Sequence, residues 1–401
     1  MKNAFVFDGV RTPFGRYGGV LSRLRPDDMM AVTIAELLHR YPEIRTEIED
    51  VIVGDSNQSG EDSRNVGRNA ALIAGLPSSV SGITLNRLCA SGLSAAIDAS
   101  RAIRCSEGNL FIAGGVESMS RAPFILAKPE AAFTRSAPLF DSTIGWRFPN
   151  ERITSQYGTD SLPGTAENLA TQYDISREES DVFALASQTK YEAARKAGFY
   201  DDEIMSVEVP PAKRKAPPEI INTDEHPRPD TSLKKLAALK PLQSGGTVTA
   251  GNASGINDGA AALLIGSSDT AGRFGLRPQV RIVASSVAGV EPRIMGLGPV
   301  PATRKVMARS GLNLDDMDVI EINEAFAAQV LACLKELKLP IDDPRINPNG
   351  GAITIGHPLG ASGARLLLTA TRELQRRQGR YALVTMCVGI GQGIAVIIER
   401  V

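Results

Sequence analysis

Short apolar runs alternate along the chain with longer segments in which apolar residues recur at every third or fourth position. Such runs predict buried strands, and such periodicity predicts amphipathic helices. The predicted strands lie near residues 4–7, 51–53, 83–85, 110–113, 260–265 and 381–386. The predicted helices lie near 27–40, 64–75, 90–104, 177–197 and 361–374. Strands that alternate with helices in this way are typical of an α/β fold.

One long segment interrupts this alternation. Between about residues 121 and 249, proline and polar residues become frequent, and 177–197 is the one clear helix. Because such clusters favour loops, we interpret the segment as an excursion from the core. We therefore predict three parts: an N-terminal half formed by 1–120 with 250–270, a loop domain at 121–249 and a C-terminal half at 271–401.

The two predicted halves repeat each other. The run Cys-Ala-Ser-Gly at Cys89 matches Gly-Ala-Ser-Gly at Gly360, which lies 271 positions later. The strands that follow, beginning at Leu110 and Tyr381, keep this separation. A duplicated α/β unit would bring the N-termini of two equivalent helices to equivalent places, where they share one pocket.

Composition narrows the range of functions. A formal net charge of −1 gives no reason to expect a nucleic-acid or membrane-surface partner. No apolar run approaches the roughly 20 residues that span a bilayer. The four cysteines form no Cys-x-x-Cys pair, and the three histidines lie far apart, which disfavours disulfides and a zinc site. With no signal or transit segment before the first strand, we expect a cytoplasmic protein.

The first candidate for chemistry is Cys89, which stands just before the predicted helix 90–104. Unpaired N–H groups and the positive end of the helix dipole favour an anion there. We expect a thiol in this position to ionise more easily and to act as a nucleophile. A buried structural cysteine is the alternative.

Three further residues stand at the ends of predicted strands or in glycine-rich turns. His357 lies in Gly-His-Pro-Leu-Gly, immediately before the second repeat helix, and would form a Cys–His pair with Cys89. Cys387 precedes a glycine-rich turn whose backbone N–H groups can approach a ligand. Asn323 could donate a hydrogen bond to an oxyanion. The structural alternatives are a turn histidine, a buried cysteine and a helix N-cap.

Together these segments resemble the thiolase family. The matching runs are RTPFG at 11–15, LCASG at 88–92, GGVESMS at 114–120, GNASGINDGA at 251–260, NEAF at 323–326, GHPLGASG at 356–363 and CVGIGQG at 387–393. They span nearly the whole chain in order. The resemblance implies two βαβαβαββ halves in five layers, α-β-α-β-α, with an inserted loop domain that binds coenzyme A.

The resemblance also implies a role for each candidate. Cys89 would become acylated after activation by His357, and Cys387 would act as general acid and base. Asn323, through a water, and His357 would form one oxyanion hole, and the backbone N–H groups of Cys89 and Gly389 would form the other. Cleavage of a 3-oxoacyl-CoA needs such a set, because a thiolate attacks the 3-keto carbon and a carbanion then leaves.

Coenzyme A is expected as a substrate, with acyl-CoA, and no bound cofactor or metal is predicted. Arg228 matches the family position beside the adenine nucleotide, and Ser254 matches the serine at the pantetheine arm.

A finer resemblance, in segments 60–68, 118–124 and 140–148, is to the 3-oxoadipyl-CoA thiolases of aromatic-compound breakdown. Their substrate ends in a carboxylate, which an arginine binds well. The candidates are Arg64, Arg135 and Arg147, each of which has a surface or intersubunit ion pair as its alternative.

Several other functions remain open at this point. They are a broad 3-ketoacyl-CoA or acetoacetyl-CoA thiolase, a cysteine hydrolase, a non-catalytic acyl-CoA carrier and a β-ketoacyl synthase. A synthase usually needs a second active-site histidine, or a histidine with an asparagine, in place of Cys387, and neither His39 nor His226 stands in a suitable segment. The family resemblance also implies a homo-oligomer, either a dimer or a tetramer.

Overall fold

The computed structural model describes residues 2–129, 131–213 and 215–401. The strands are β1 Ala4–Arg11, β2 Gly15–Arg16, β3 Asp50–Gly54, β4 Ser81–Leu85, β5 Leu110–Ser118, β6 Phe124–Leu126, β7 Leu139–Asp141, β8 Val207–Val209, β9 Glu219–Ile221, β10 Asn257–Ser267, β11 Val280–Gly289, β12 Val319–Ile322, β13 Tyr381–Val388 and β14 Gln392–Arg400. The helices are α1 Pro26–Arg40, α2 Val66–Ile73, α3 Ser91–Cys105, α4 Glu151–Tyr157, α5 Leu162–Gln172, α6 Arg177–Lys196, α7 Leu233–Ala237, α8 Ser268–Phe274, α9 Pro299–Ser310, α10 Ala327–Leu337, α11 Ala352–Ile355 and α12 Leu359–Arg377.

The main sheet runs through both halves of the chain. Its strand order is β12-β13-β14-β11-β1-β10-β5-β3-β4, and β2 pairs with β10. The pairs β3–β4, β3–β5 and β12–β13 are parallel, as expected for strands joined through helices. The two halves meet where β1 pairs with β11 at Phe5–Arg281 and Val6–Val280.

Three apolar clusters hold together five layers of helices and strands. Helices α1 and α2 cover one outer face of the sheet, with Met29 and Ile34 in that cluster. Helices α3 and α12 form the middle layer, where their apolar residues pack with strands from both halves. Helices α9 and α10 cover the other outer face. This is the α-β-α-β-α order that the resemblance implies, and it packs apolar helix faces against the strands.

The second half has the same order of strands and helices as the first, except that one strand is shortened to a single bridge. The first half runs β1-α1-β3-α2-β4-α3-β5 and closes with β10. In the second half, the place of the third strand is taken by a single parallel bridge between Ile320 and Ile346. Pro344 and Pro348 flank this bridge. Since proline has no N–H to give to a ladder, a longer strand is disfavoured there.

A buried arginine ties the excursion to the core. Arg11, at the end of β1, is completely buried. Its Nη1 and Nη2 donate to the Asp224 carboxylate at 2.6 and 2.9 Å, and its Nε donates to Glu203 at 2.6 Å. A buried charge is tolerated only when it is paired and hydrogen-bonded. Strand β1 therefore fixes the position of the segment that contains both carboxylates.

Candidate active site

The two helices of the middle layer bring their N-terminal ends together. A Cβ atom added to Gly92 of α3 would lie 2.5 Å from the backbone oxygen of Gly360 at the start of α12. Only glycine permits this approach. The two repeated Ala-Ser-Gly runs thus lie against each other, and the residues that precede them are brought to one region.

A cavity of about 280 Å³ opens at this place. Cys89, just before α3, and Leu359, the first residue of α12, line it, and Gly389 and Ile390 line it from the turn after β13. The remaining wall comes mainly from the excursion, including residues 142–147. The cavity therefore lies where the two halves and the excursion meet, which is a common location for a ligand site.

Cys89 stands two residues before α3, as the sequence predicts, and is 7% exposed. The turn around it is held by the Ser91 hydroxyl, which donates to the Leu88 carbonyl at 2.7 Å and accepts from the Arg87 N–H at 2.8 Å. Leu88 has a φ of +48°. This side-chain bond to the backbone supports a conformation that a non-glycine residue rarely adopts.

The expectation that Cys89 ionises easily is wrong for the free protein. Burial raises the pKa of its thiol to about 11, and the negative charge of Glu117 acts in the same direction. A hydrogen bond from the Gly389 backbone N–H lowers the pKa of Cys89 but does not offset burial.

His357 is buried, and its environment selects one neutral tautomer. The Ser362 hydroxyl donates its only proton to the Pro358 carbonyl at 2.8 Å, and Ser362 Oγ lies 2.6 Å from His357 Nδ1. Both contacts are hydrogen bonds only if the hydroxyl donates to the carbonyl and Nδ1–H donates to the hydroxyl, which leaves the lone pair of the ring on Nε2. Burial, together with the Arg365 charge, lowers the pKa of His357 to about 3, which keeps the ring neutral.

Asn323 is brought to the free nitrogen of this imidazole. Its Nδ2 lies 3.3 Å from His357 Nε2, and its backbone N–H donates to the Thr385 carbonyl at 3.0 Å. Asn323 is not a helix N-cap, because α10 begins four residues later with Phe326 at that position. A buried amide in contact with the imidazole is suited to binding a polarised oxygen.

Cys387 is the second cysteine of the region. It is the penultimate residue of β13, pairs with Gly393 of β14 and is 1% exposed. Burial raises the pKa of its thiol, and charges on Cys89 and Cys333 raise it further. Cys387 itself does not line the cavity that contains Cys89, but the turn that follows it does, through Gly389 and Ile390.

Sequence reasoning missed two buried polar residues that organise the region. Glu117 Oε2 accepts from the Ser56 hydroxyl at 2.8 Å and from the Gly360 N–H at 2.8 Å, so it joins the first half to the start of α12. Asn257 Oδ1 accepts from the His357 N–H at 2.9 Å. Burial raises the pKa of Glu117 to about 7. The sequence feature that could have indicated Glu117 is an acidic residue within the largely apolar segment 110–118.

The other predicted binding residues do not all line the cavity. Arg147 lines the cavity that contains Cys89, whereas Arg64 and Arg135 are exposed on loops and do not. Arg228 is exposed, and Ser254 is half-buried with its N–H donating to the Ala325 carbonyl at 2.9 Å. Neither of these last two lines the cavity. Their assignment to coenzyme A binding stays a prediction.

Two structural findings bear on other classes of function. Across the described ranges, no group of three or more histidine, cysteine, aspartate or glutamate side chains is arranged to hold a metal ion. Within the same ranges, no helix is long and apolar enough to span a membrane.

Comparison with known proteins covers nearly the whole chain. Residues 4–269 match the family model "Thiolase, N-terminal domain", and residues 276–400 match "Thiolase, C-terminal domain". The 3-oxoadipyl-CoA/3-oxo-5,6-dehydrosuberyl-CoA thiolase of Escherichia coli (strain K12) is 59% identical, and the beta-ketoadipyl-CoA thiolase of Acinetobacter baylyi is 54% identical, each over 100% of both chains. The crystal structure of human mitochondrial 3-ketoacyl-CoA thiolase in complex with CoA superposes with a TM-score of 0.91 at 40% identity, over 100% of this chain and 98% of that one.

Proposed function

The chain belongs to the thiolase family and is an acyltransferase, and from that premise we propose that it cleaves 3-oxoadipyl-CoA with coenzyme A. The products are acetyl-CoA and succinyl-CoA. The observation that carries the proposal is 59% identity over the full length to a 3-oxoadipyl-CoA thiolase. It is supported by the position of Cys89 and Gly389 on one cavity wall and by the contact between Asn323 and His357.

In the first half-reaction, Cys89 attacks the 3-keto carbon of the substrate. The thiol proton passes to His357 Nε2, whose lone pair is free because Nδ1 holds the ring proton. Collapse of the tetrahedral alkoxide breaks the bond between the second and third carbons, and Cys387 protonates the acetyl-CoA carbanion. Both thiols and the imidazole are neutral at rest, so we infer that the proton moves during the attack.

In the second half-reaction, the Cys387 thiolate takes the thiol proton of coenzyme A. The resulting thiolate attacks the acyl-cysteine, and Cys89 leaves and is protonated by His357. We assign the thioester oxygen of the acetyl group to Asn323 and His357, and the oxygen of the acyl group at Cys89 to the backbone N–H groups of Cys89 and Gly389. Donors fixed in a dry site stabilise developing charge far better than they do in water.

We assign coenzyme A binding to the loop domain at 121–249, which contributes Arg228 at the nucleotide, and to Ser254, just beyond this domain, at the pantetheine arm. Basic side chains on this exposed segment suit an anionic ligand. The three-part division of the chain made from the sequence, with halves at 1–120 plus 250–270 and at 271–401, stays part of this proposal.

We also propose that the protein forms a homo-oligomer, a dimer or a tetramer. Strand β4 is an edge strand with exposed positions, and an unpaired edge favours pairing with a second chain. In the hairpin β6–β7, Phe124, Leu126 and Leu139 are 71%, 64% and 62% exposed. Light scattering measures the assembly directly, and a monomer at micromolar concentration would contradict this part.

The proposed function is tested by product analysis with a panel of 3-oxoacyl-CoA substrates. We expect 3-oxoadipyl-CoA and coenzyme A to give acetyl-CoA and succinyl-CoA, and we expect no turnover when coenzyme A is omitted. Hydrolysis without coenzyme A would instead identify a cysteine hydrolase. Equal kcat/KM for neutral 3-oxohexanoyl-CoA would identify a broad thiolase.

Cys89→Ala should abolish thiolysis in the same assay, because no nucleophile remains for the covalent step. Cys105→Ala is the matched control, since that cysteine is exposed at the far end of α3. Normal turnover by Cys89→Ala would refute the assignment of the nucleophile.

A further inference from the structure

We propose that Arg147 binds the terminal carboxylate of the acyl chain and so determines the preference for a dicarboxylic substrate. This inference rests on the proposed function, because a carboxylate-binding residue has meaning only for a substrate that carries one. The argument starts from the geometry of one guanidinium group on the wall of the cavity.

Arg147 shares the cavity with the sulfur that becomes acylated. Both Arg147 and Cys89 line it, together with Ser56, Asn57, Ser142 and Thr143. In the succinyl-enzyme, only two methylene groups separate the thioester carbon from the carboxylate. The carboxylate therefore stays within this cavity, and a residue that binds it must line the same wall.

The guanidinium is held by two backbone carbonyls from different segments. Nη1 donates to the Ser142 carbonyl at 3.0 Å, and Nη2 donates to the Asn57 carbonyl at 3.2 Å. A guanidinium has five N–H donors in a rigid plane, so three remain after these two bonds. Fixing the plane before the ligand arrives reduces the entropy lost when a carboxylate binds.

The charge of Arg147 is not neutralised by a partner. No carboxylate of the described residues forms an ion pair with it, and both of its hydrogen bonds go to neutral carbonyls. Asp62 responds to its charge, since Arg147 lowers the pKa of that carboxyl against a larger effect of burial, but the two make no hydrogen bond. A half-buried cation with neutral partners favours an anionic ligand.

Arg293 provides the contrast on the same wall. It also lines the cavity, but its Nε donates to the Asp160 carboxylate at 2.9 Å, and Asp160 lines the cavity as well. That ion pair already satisfies the guanidinium, and its carboxylate would repel a second one. Arg147 is thus the arginine of this wall that is available to a substrate carboxylate.

The test is the ratio of kcat/KM for 3-oxoadipyl-CoA to that for 3-oxohexanoyl-CoA, measured on the purified full-length enzyme. Arg147→Met should lower this ratio about 100-fold, because a charge-assisted hydrogen-bonded pair is lost for one substrate alone. Arg147→Lys should lower it less, since a point charge is kept without the fork. Arg293→Met is the matched control and should leave the ratio within about twofold of the wild type.

Each outcome separates this inference from the function on which it rests. If the wild-type enzyme shows no preference between the two substrates, the proposed function fails first. If the wild type prefers 3-oxoadipyl-CoA and Arg147→Met keeps that preference, only the role of Arg147 is refuted. An equal loss on both substrates would show a structural role and would also overturn it, as would collapse of the ratio in Arg293→Met.

Discussion

His357 is held in one protonation form by a single hydroxyl group. Ser362 uses its proton on the Pro358 carbonyl and accepts from His357 Nδ1, so the free lone pair of the imidazole lies on Nε2, beside Asn323. In the mechanism proposed above, the other tautomer would carry an N–H at Nε2 and could not take the proton of Cys89. Ser362 is therefore a positioning residue, which acts through the histidine.

Ser362→Ala should lower kcat by about 10- to 100-fold with little change in KM, because it removes the bond that selects the tautomer. Thr371→Ala is the matched control. Thr371 lies on the same helix, is buried, and donates to the Leu367 carbonyl at 2.8 Å in the same way, but it does not contact His357. Equal losses of kcat in both variants, measured by steady-state kinetics, would show that Ser362 only supports the helix.

At the scale of elements, the contact between α3 and α12 sets the distance between the two halves of the site. Gly92 lies where α3 crosses the first turn of α12, and a Cβ atom there would meet a backbone oxygen that cannot rotate away. Relief of this overlap would move α3, and with it the turn that carries Cys89. Small misplacements of a reacting group reduce rates strongly.

Gly92→Ala should therefore lower the free energy of unfolding by about 1–3 kcal/mol and reduce kcat. Gly272→Ala is the matched control, because Gly272 lies within helix α8 and an added Cβ atom there meets nothing within 4 Å. That control should be neutral or stabilising by up to about 1 kcal/mol. Urea unfolding and thiolysis rates measure both effects, and a fully active, fully stable Gly92→Ala would contradict the packing described.

At the scale of the whole molecule, periodicity was sufficient to predict an α/β fold, and the five-layer order came from the family resemblance. The strands before and after Cys89 were predicted at the right places, because buried apolar runs leave strong patterns, but β5 continues five residues beyond its predicted end. The repeat around Cys89 and Gly360 predicted that two helix ends meet. The reduced third strand of the second half was not predicted, although Pro344 and Pro348 on either side of it disfavour a longer strand.

The electrostatic environment of the site could not be predicted from the sequence. The raised pKa of Cys89 comes from burial by parts of both halves, which no local pattern contains. The bridge from Glu117 to the Gly360 N–H joins residues 243 positions apart. The choice among three arginines likewise depended on which loop reaches the cavity wall. These properties depend on the tertiary structure. The motifs therefore predicted the type of chemistry but not the electrostatic environment of the site.

The most direct test of the central claim is to identify which sulfur carries the acyl group. The enzyme is incubated with succinyl-CoA, quenched in acid and digested, and the peptides that contain Cys89 and Cys387 are examined by mass spectrometry. We predict a succinyl thioester on Cys89 alone, with Cys387 unmodified in the wild type and Cys89 still labelled in Cys387→Ala. A succinyl group on Cys387, or no label on either thiol, would contradict the account.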